Sequence, residues 1–393
     1  MLLPAPVELT CSACGARQVE HDRQLIACPA CGGYLEVAAP PRWPHARSPV
    51  GEAPPRWVDE ARRGVWRYRP LLPLRDDGAL VSLGEGATPI VPLPRWGAAV
   101  GAPRAAAKLE HIAPTGSFKD RGMTLVVSRA RELGADALIE DSSGNAGAST
   151  AAYAARAGIP ATVYVPASAP AGKIRQIAAA GATVVAVPGP REAVTEAAFA
   201  AARKGDAYYV GHNVNPFFAF GMTTFAYELI EAGGADLPAH VVMPAGGGSL
   251  YVGNWRGLRL WLGPEARLPR LHLVQPVGCR PIVAAQEAGT ERAVPIERAP
   301  TIAGGAEIER PARDRQMLAA LRDSDGVAVA VSDQELVAER RRLARLEGID
   351  LEPTAALALA GLVELVRRGV VGPDDSVLIA TTGAGLKVPD QGA

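Results

Sequence analysis

The stretch Ala137-Leu-Ile-Glu-Asp-Ser-Ser-Gly-Asn-Ala-Gly-Ala-Ser-Thr-Ala-Ala-Tyr-Ala-Ala-Arg-Ala157 contains the unit from which the chain is built. Residues 137–139 are a short apolar run suited to a buried strand, 141–147 a turn of small polar residues, and 147–157 an alanine-rich helix. Working outward, the same order recurs. Further apolar strands are expected at 105–109, 162–165, 183–187, 240–243, 271–274 and 377–380, with helices at 118–133, 173–180, 191–203, 216–232, 333–346 and 353–366. Strands alternating with helices make parallel sheets covered on both faces, so the chain reads as α/β.

The 393 residues suit two domains and a small module. The 41 basic and 41 acidic residues cancel, which argues against a general polyanion binder. With 48% hydrophobic residues the chain can bury a large core. Two long uncharged stretches, 207–227 and 237–255, carry His212, Asn213, Asn215 and Pro216 or many glycines, so neither reads as a spanning helix. The N-terminus has no basic start followed by an apolar core, and a cytoplasmic location is expected.

Four of the five cysteines form Cys11-x2-Cys14 and Cys28-x2-Cys31. Two such knuckles supply the four thiolates of a closed, structural zinc site, the expected reading of residues 1–38 as a zinc ribbon. Cys279, beside the apolar run 271–277, is expected to be a buried small residue. The Pro- and Arg-rich residues 39–70 read as a linker arm.

Five small-residue segments carry the candidate chemistry. In 114–122 (Pro-Thr-Gly-Ser-Phe-Lys-Asp-Arg-Gly), Lys119 enters a helix. Only five of the 41 basic residues are lysines (108, 119, 173, 204 and 387), so those retained are candidates for a role that needs a primary amine. A solvated helix-start lysine is the plain alternative. In 141–147, hydroxyls, an amide and helix N–H groups suit an anionic oxygen, though an ordinary capping loop has the same composition. Gly246-Gly247-Gly248-Ser249 could wrap a phosphate with its backbone. The others are 381–387 (Thr-Thr-Gly-Ala-Gly-Leu-Lys) and 84–89 (Gly-Glu-Gly-Ala-Thr-Pro).

These pieces, with Lys108-x-Glu110, Lys173-x2-Gln176, Asn215-Pro216 and Glu352-Pro353, fall in the order seen in threonine synthases. The chain therefore resembles that group of fold-type II pyridoxal-phosphate enzymes, the tryptophan synthase beta-like superfamily, from about Ser82 to Lys387. The resemblance implies two three-layer αβα domains with parallel-type sheets plus the small ribbon. A large cofactor-binding domain would span 71–124 and 231–393, and a small one 125–230. It also implies a role for each matched position. Lys119 would carry pyridoxal 5'-phosphate, Asn145 would bond the ring hydroxyl oxygen, and Gly246, Gly247, Gly248, Ser249 and Leu250 would hold the phosphate. Thr382 would bond the pyridine nitrogen; Ser142, Ser143, Gly144 and Thr115 would bind substrate. The implied reaction turns O-phospho-homoserine and water into threonine and phosphate by γ-elimination and β-addition, and the resemblance also implies a homodimer.

The sequence departs from the family pattern in several places. Ala113 stands before the Pro-Thr-Gly-Ser-Phe-Lys run, and Ser143 and Ala146 flank Gly144-Asn145 where threonines are common. Phe220-Gly221-Met222 replaces a segment that usually carries Glu and Lys, and Ala384 a frequent histidine. Fewer cations for a substrate phosphate keep a second reading open: a threonine or serine dehydratase, or another β-elimination or β-replacement enzyme of the cysteate synthase kind, on a non-phosphorylated amino acid.

Overall fold

The computed structural model describes residues 6–20, 24–38, 57–169, 171–189, 191–204, 207–233 and 236–388. Its strands, in chain order, are β1 (Val7–Cys11), β2 (Arg17–Glu20), β3 (Leu35–Val37), β4 (Ile90–Pro92), β5 (Ala105–Lys108), β6 (Ala137–Glu140), β7 (Ala161–Pro166), β8 (Thr183–Val187), β9 (Ala207–Tyr209), β10 (His240–Pro244), β11 (Arg270–Pro276), β12 (Ala328–Val331) and β13 (Val377–Ala380). All seven expected strands are present. The expectation missed the three ribbon strands and the short β4, β9 and β12, whose three to five residues give too little period to read.

The described residues divide into two units. In the first, β2-β1-β3 form a small antiparallel sheet, and β8-β7-β6-β9 a fully parallel one. Helices Lys119–Glu132 and Asn145–Ala157 pack on each other there. Ser149 fixes their angle by donating at 2.6 Å to Asp120, both side chains fully buried. The ribbon is anchored to this unit through two polar contacts. Arg129 Nε donates to Glu20 Oε1 at 2.9 Å, with both side chains at 0% exposure. Gln24 completes the edge strand β9, donating from Nε2 to the Tyr209 carbonyl at 2.6 Å and accepting from the Tyr209 N–H at 2.8 Å.

The second unit is built on β12-β11-β10-β13-β5-β4, parallel except for the β4 edge. Its core gathers Val242, Val274, Val329 and Ile379 under the apolar helix Pro353–Arg367. Lys108, at the end of β5, is consumed structurally. It is buried and donates to Glu228 at 2.7 Å and to the Thr88 carbonyl at 3.0 Å.

Two expectations about domain limits change. The units divide at residues 88, 119 and 225 instead of 71, 125 and 231, because residues 57–87 fold with the ribbon-bearing unit. The part of the expected linker arm that is described, 57–70, is packed structure. Trp57, Val65, Trp66 and Tyr68 are buried around a 3-10 segment, Gly64–Leu71, and Trp66 Nε1 donates to Thr124 Oγ1 at 2.9 Å. Its prolines and arginines suggested a spacer, but the aromatics interleaved with them find a core. Residues 39–56 lie outside the described residues. Cys279 is fully buried, as expected. No helix among the described residues is long and apolar enough to cross a membrane.

Candidate functional site

In the first unit the candidate residues collect at the carboxyl ends of β6 and β9, the end at which parallel α/β sheets bind ligands. Lys119 opens its helix and is half-buried, with Nζ 5.5 Å from the centroid of the Phe218 ring. Phe218 is held by Asn215, whose side-chain oxygen accepts from the N–H groups of Phe217 and Phe218 and so caps Pro216–Gly221. Ser142 Oγ accepts from the Gly144 N–H at 3.2 Å, shaping a turn from which the 13-residue helix beginning at Asn145 starts. Ser142, Ser143, Gly144 and Asn145 are all half-buried, in keeping with a loop that can present hydroxyls and helix N–H groups to a carboxylate.

Just before this loop stands Glu140, which the sequence reading passed over, with His212, noted there only as part of an uncharged stretch, beside it. Glu140 is fully buried, and Nδ1 of His212 lies 3.1 Å from its Oε1. Burial, with Asp141 adjacent, pushes the Glu140 carboxyl up to about 8. Burial acts the same way on Asp141, but the Arg191 guanidinium at 3.0 Å and the Thr195 hydroxyl at 2.6 Å outweigh it and hold Asp141 below its usual range. The signal that could have found Glu140 was its place at the last residue of a strand entering the loop.

In the second unit, residues 115–118 and 382–387 are stitched together. Ser117 and Gly383 form an antiparallel bridge; Phe118 N–H donates to the Thr382 carbonyl, Ala384 N–H to Gly116, and Lys387 Nζ to the Thr115 carbonyl at 2.8 Å. The Lys387 amine thus holds a loop. Ser117 Oγ and Thr382 Oγ1 are buried and have no hydrogen-bond partner among the described residues. A buried orphan hydroxyl costs about 1–3 kcal/mol, so two on bridged segments mark a place where a ligand is expected to supply the partners.

The glycine turn 246–248 leaves β10 and enters helix Ser249–Leu262. Gly248 has φ +82°, and a Cβ there would lie 2.4 Å from Met317 Sδ, so only glycine allows this turn. Ser249 and Leu250 are buried. A helix N-terminus reached through small residues is a backbone phosphate cradle.

In the ribbon, the four cysteine sulfurs lie within 4.8 Å of one another, Cys11 to Cys31 at 3.5 Å and Cys14 to Cys28 at 3.9 Å. Four thiolates about 2.3 Å from a central zinc stand roughly 3.8 Å apart, so the spacing fits a tetrahedral shell. A side chain at Gly33 would clash with Cys11 Sγ, its Cβ only 2.9 Å away.

Residues 81–383 match the family described as pyridoxal-phosphate dependent enzyme, and the chain belongs to that family. It is 35% identical to the threonine synthase of Methanosarcina acetivorans over 387 residues, 97% of this chain and 92% of that protein. The threonine synthase of Synechocystis is 36% identical over 330 residues, 82% of each chain. Among solved structures, tomato threonine deaminase isoform 2 superposes with TM-score 0.67 at 21% identity, covering 76% of this chain and 79% of that one. Maize serine racemase gives 0.66 at 22%, covering 76% and 88%. These two share the fold. The chain is thus a pyridoxal-phosphate-dependent lyase related to threonine synthases. The orphan Thr382 hydroxyl and the Gly248 cradle are suited to the pyridine nitrogen and phosphate of the cofactor.

Proposed function

We propose that this threonine synthase-like lyase takes O-phospho-homoserine and water to threonine and phosphate, with Lys119, Asn145, Gly246–Leu250 and Thr382 as the residues that hold pyridoxal phosphate. The observation that carries the assignment is the Thr382 hydroxyl, buried without a partner on a segment bridged to the one that ends at Lys119. When bound, the cofactor supplies an electron-accepting ring that stabilises negative charge at the substrate Cα.

The chain's own residues do the rest. The Lys119 amine, partly withdrawn from water, takes and returns the Cα proton. Ser142, Ser143 and the N–H groups opening helix Asn145–Ala157 orient the carboxylate, and Thr115 lies on the loop that Lys387 fixes. The Thr382 hydroxyl would meet the ring nitrogen without a charge. It therefore does not hold that nitrogen protonated, which favours elimination and replacement at Cβ and Cγ over transamination. We also assign the four-cysteine cluster, from its spacing, to a structural zinc, and read the protein as cytoplasmic and, as the resemblance implies, a homodimer.

The test is a substrate panel on the cofactor-loaded protein. Equimolar phosphate and threonine from O-phospho-homoserine support the reading; 2-oxobutyrate or pyruvate from threonine or serine, with no phosphate release, replaces it by a dehydratase.

A further inference from the structure

Glu140 and His212 have no part in the chemistry above, yet they lie at the same end of the first unit's sheet as Lys119. His212 and Lys119 both meet the Phe218 ring. The His212 ring meets it edge-on with centroids 5.7 Å apart, and Lys119 Nζ lies 5.5 Å from its centroid. Glu140 holds His212 at 3.1 Å, so the carboxyl, the imidazole, the Phe218 ring and the Lys119 amine form one cluster.

We propose that Glu140 and His212 are positioning residues for Lys119, a buried carboxylate–imidazole pair whose charge sets how tightly the Lys119 amine holds its proton. The coupling is reciprocal: if the Lys119 cation favours the Glu140 anion, that anion favours the cation by the same factor. Four other groups face Glu140. Asp141 is its chain neighbour, and Arg191 on helix Arg191–Lys204 is engaged by Asp141. Thr150 Oγ1 lies 3.5 Å from Oε2, and the Tyr209 phenol is pushed upward by burial and the two carboxylates. Of these groups, Arg191 donates from Nη2 to Asp141, and the His212 ring lies within hydrogen-bond distance of Glu140. An ionised Glu140 strengthens the hold of the Lys119 amine on its proton, and a neutral Glu140 weakens it. That consequence for catalysis rests on the reading of Lys119 as the cofactor-bearing lysine; the charge coupling itself does not.

Five lysines make the test direct. The full chain, labelled with 13C at lysine Cε and freed of cofactor, gives few resonances, and Lys119→Ala identifies the one that matters. Glu140→Gln is expected to lower the proton affinity of Lys119 about tenfold. His212→Leu, which removes the group sharing the carboxylate's proton, is expected to lower it in the same direction by less. A Lys119 titration that matches the parent in both variants overturns the proposal, whether or not the protein later proves to bind pyridoxal phosphate. Failure of the functional reading has a separate signature: the parent protein takes up no cofactor on Lys119 while its Lys119 titration still responds to Glu140→Gln.

Discussion

The backbone N–H of Phe118 donates to the carbonyl of Thr382 at 3.1 Å, so the residue just before Lys119 is tied to the one whose hydroxyl lacks a partner. This strand-like stitch, continued by the Ser117–Gly383 bridge and the Lys387–Thr115 bond, holds residues 115–118 against 382–387 within the second unit.

Thr382→Val should therefore have opposite effects on the two forms of the protein. Removing an unsatisfied buried hydroxyl relieves a penalty of about 1 kcal/mol in the cofactor-free form, raising its melting temperature. In the loaded form the lost bond to the ring nitrogen should weaken cofactor retention by roughly tenfold. Thermal melts with and without pyridoxal phosphate read both effects; a variant equally destabilised in both forms contradicts a ligand-facing role.

Lys119→Ala removes the amine on which the assignment depends. Borohydride reduction of the loaded parent should fix the cofactor covalently and add its mass to the protein. The variant should show no such adduct, and turnover should fall about 10²–10⁴-fold, the usual contribution of a positioned proton-transfer group. An adduct of equal yield in the variant would move the attachment to one of the other lysines. Lys108 is the least available of these, being bound to Glu228 and Thr88.

The legible part of this fold is the part written in long, regular patterns. Apolar runs followed by small-residue turns located seven parallel strands, and the resemblance assigned residues to the turns. The five lysines were only a partial clue. Lys108 and Lys387 turn out to brace structure, Lys204 is exposed, and the Lys173 side chain lies outside the described residues. Residues 57–70 were misread because proline and arginine signal a spacer, while burial of Trp57, Trp66 and Tyr68 depends on distant partners such as Thr124. The Glu140–His212 pair was hidden for the same reason: 72 residues separate them, and only the β6–β9 pairing makes them neighbours.

Metal removal tests the ribbon's place in the first unit. The Gln24 side chain donates one hydrogen bond to the backbone of the unit's edge strand and accepts one from it, and Glu20 is a buried partner of Arg129 on the helix that Lys119 opens. Stripping the metal with a chelator should lower the melting temperature of the α/β part as well as unfold the ribbon. Glu20→Gln, which leaves the buried Arg129 guanidinium with Glu132 as its carboxylate partner, should cost about 1–3 kcal/mol; Gln24→Ala should cost about 1 kcal/mol. Unchanged denaturant midpoints in both variants would mean that the ribbon is a passenger.

Glu140 makes the first unit's stability depend on pH. Its carboxyl is pushed up to about 8 in the folded protein by burial and by Asp141, against about 4.3 in an unfolded chain. Between these values the folded state binds a proton that the unfolded state has lost. Its contribution is therefore fully present below about pH 4.3 and is lost as pH rises through about 8. The parent should melt lower at pH 8.5 than at pH 6. Glu140→Gln, neutral throughout, should narrow that gap by at least ~3 °C, the shift that about 1 kcal/mol produces in a domain of this size. Asp141, held ionised by Arg191 and Thr195, contributes the opposite slope and only at lower pH, so it cannot imitate this effect above neutrality. Melting curves of the two proteins across that range, recorded without cofactor, decide it: parallel curves would mean that Glu140 ionises in the folded state as readily as in water.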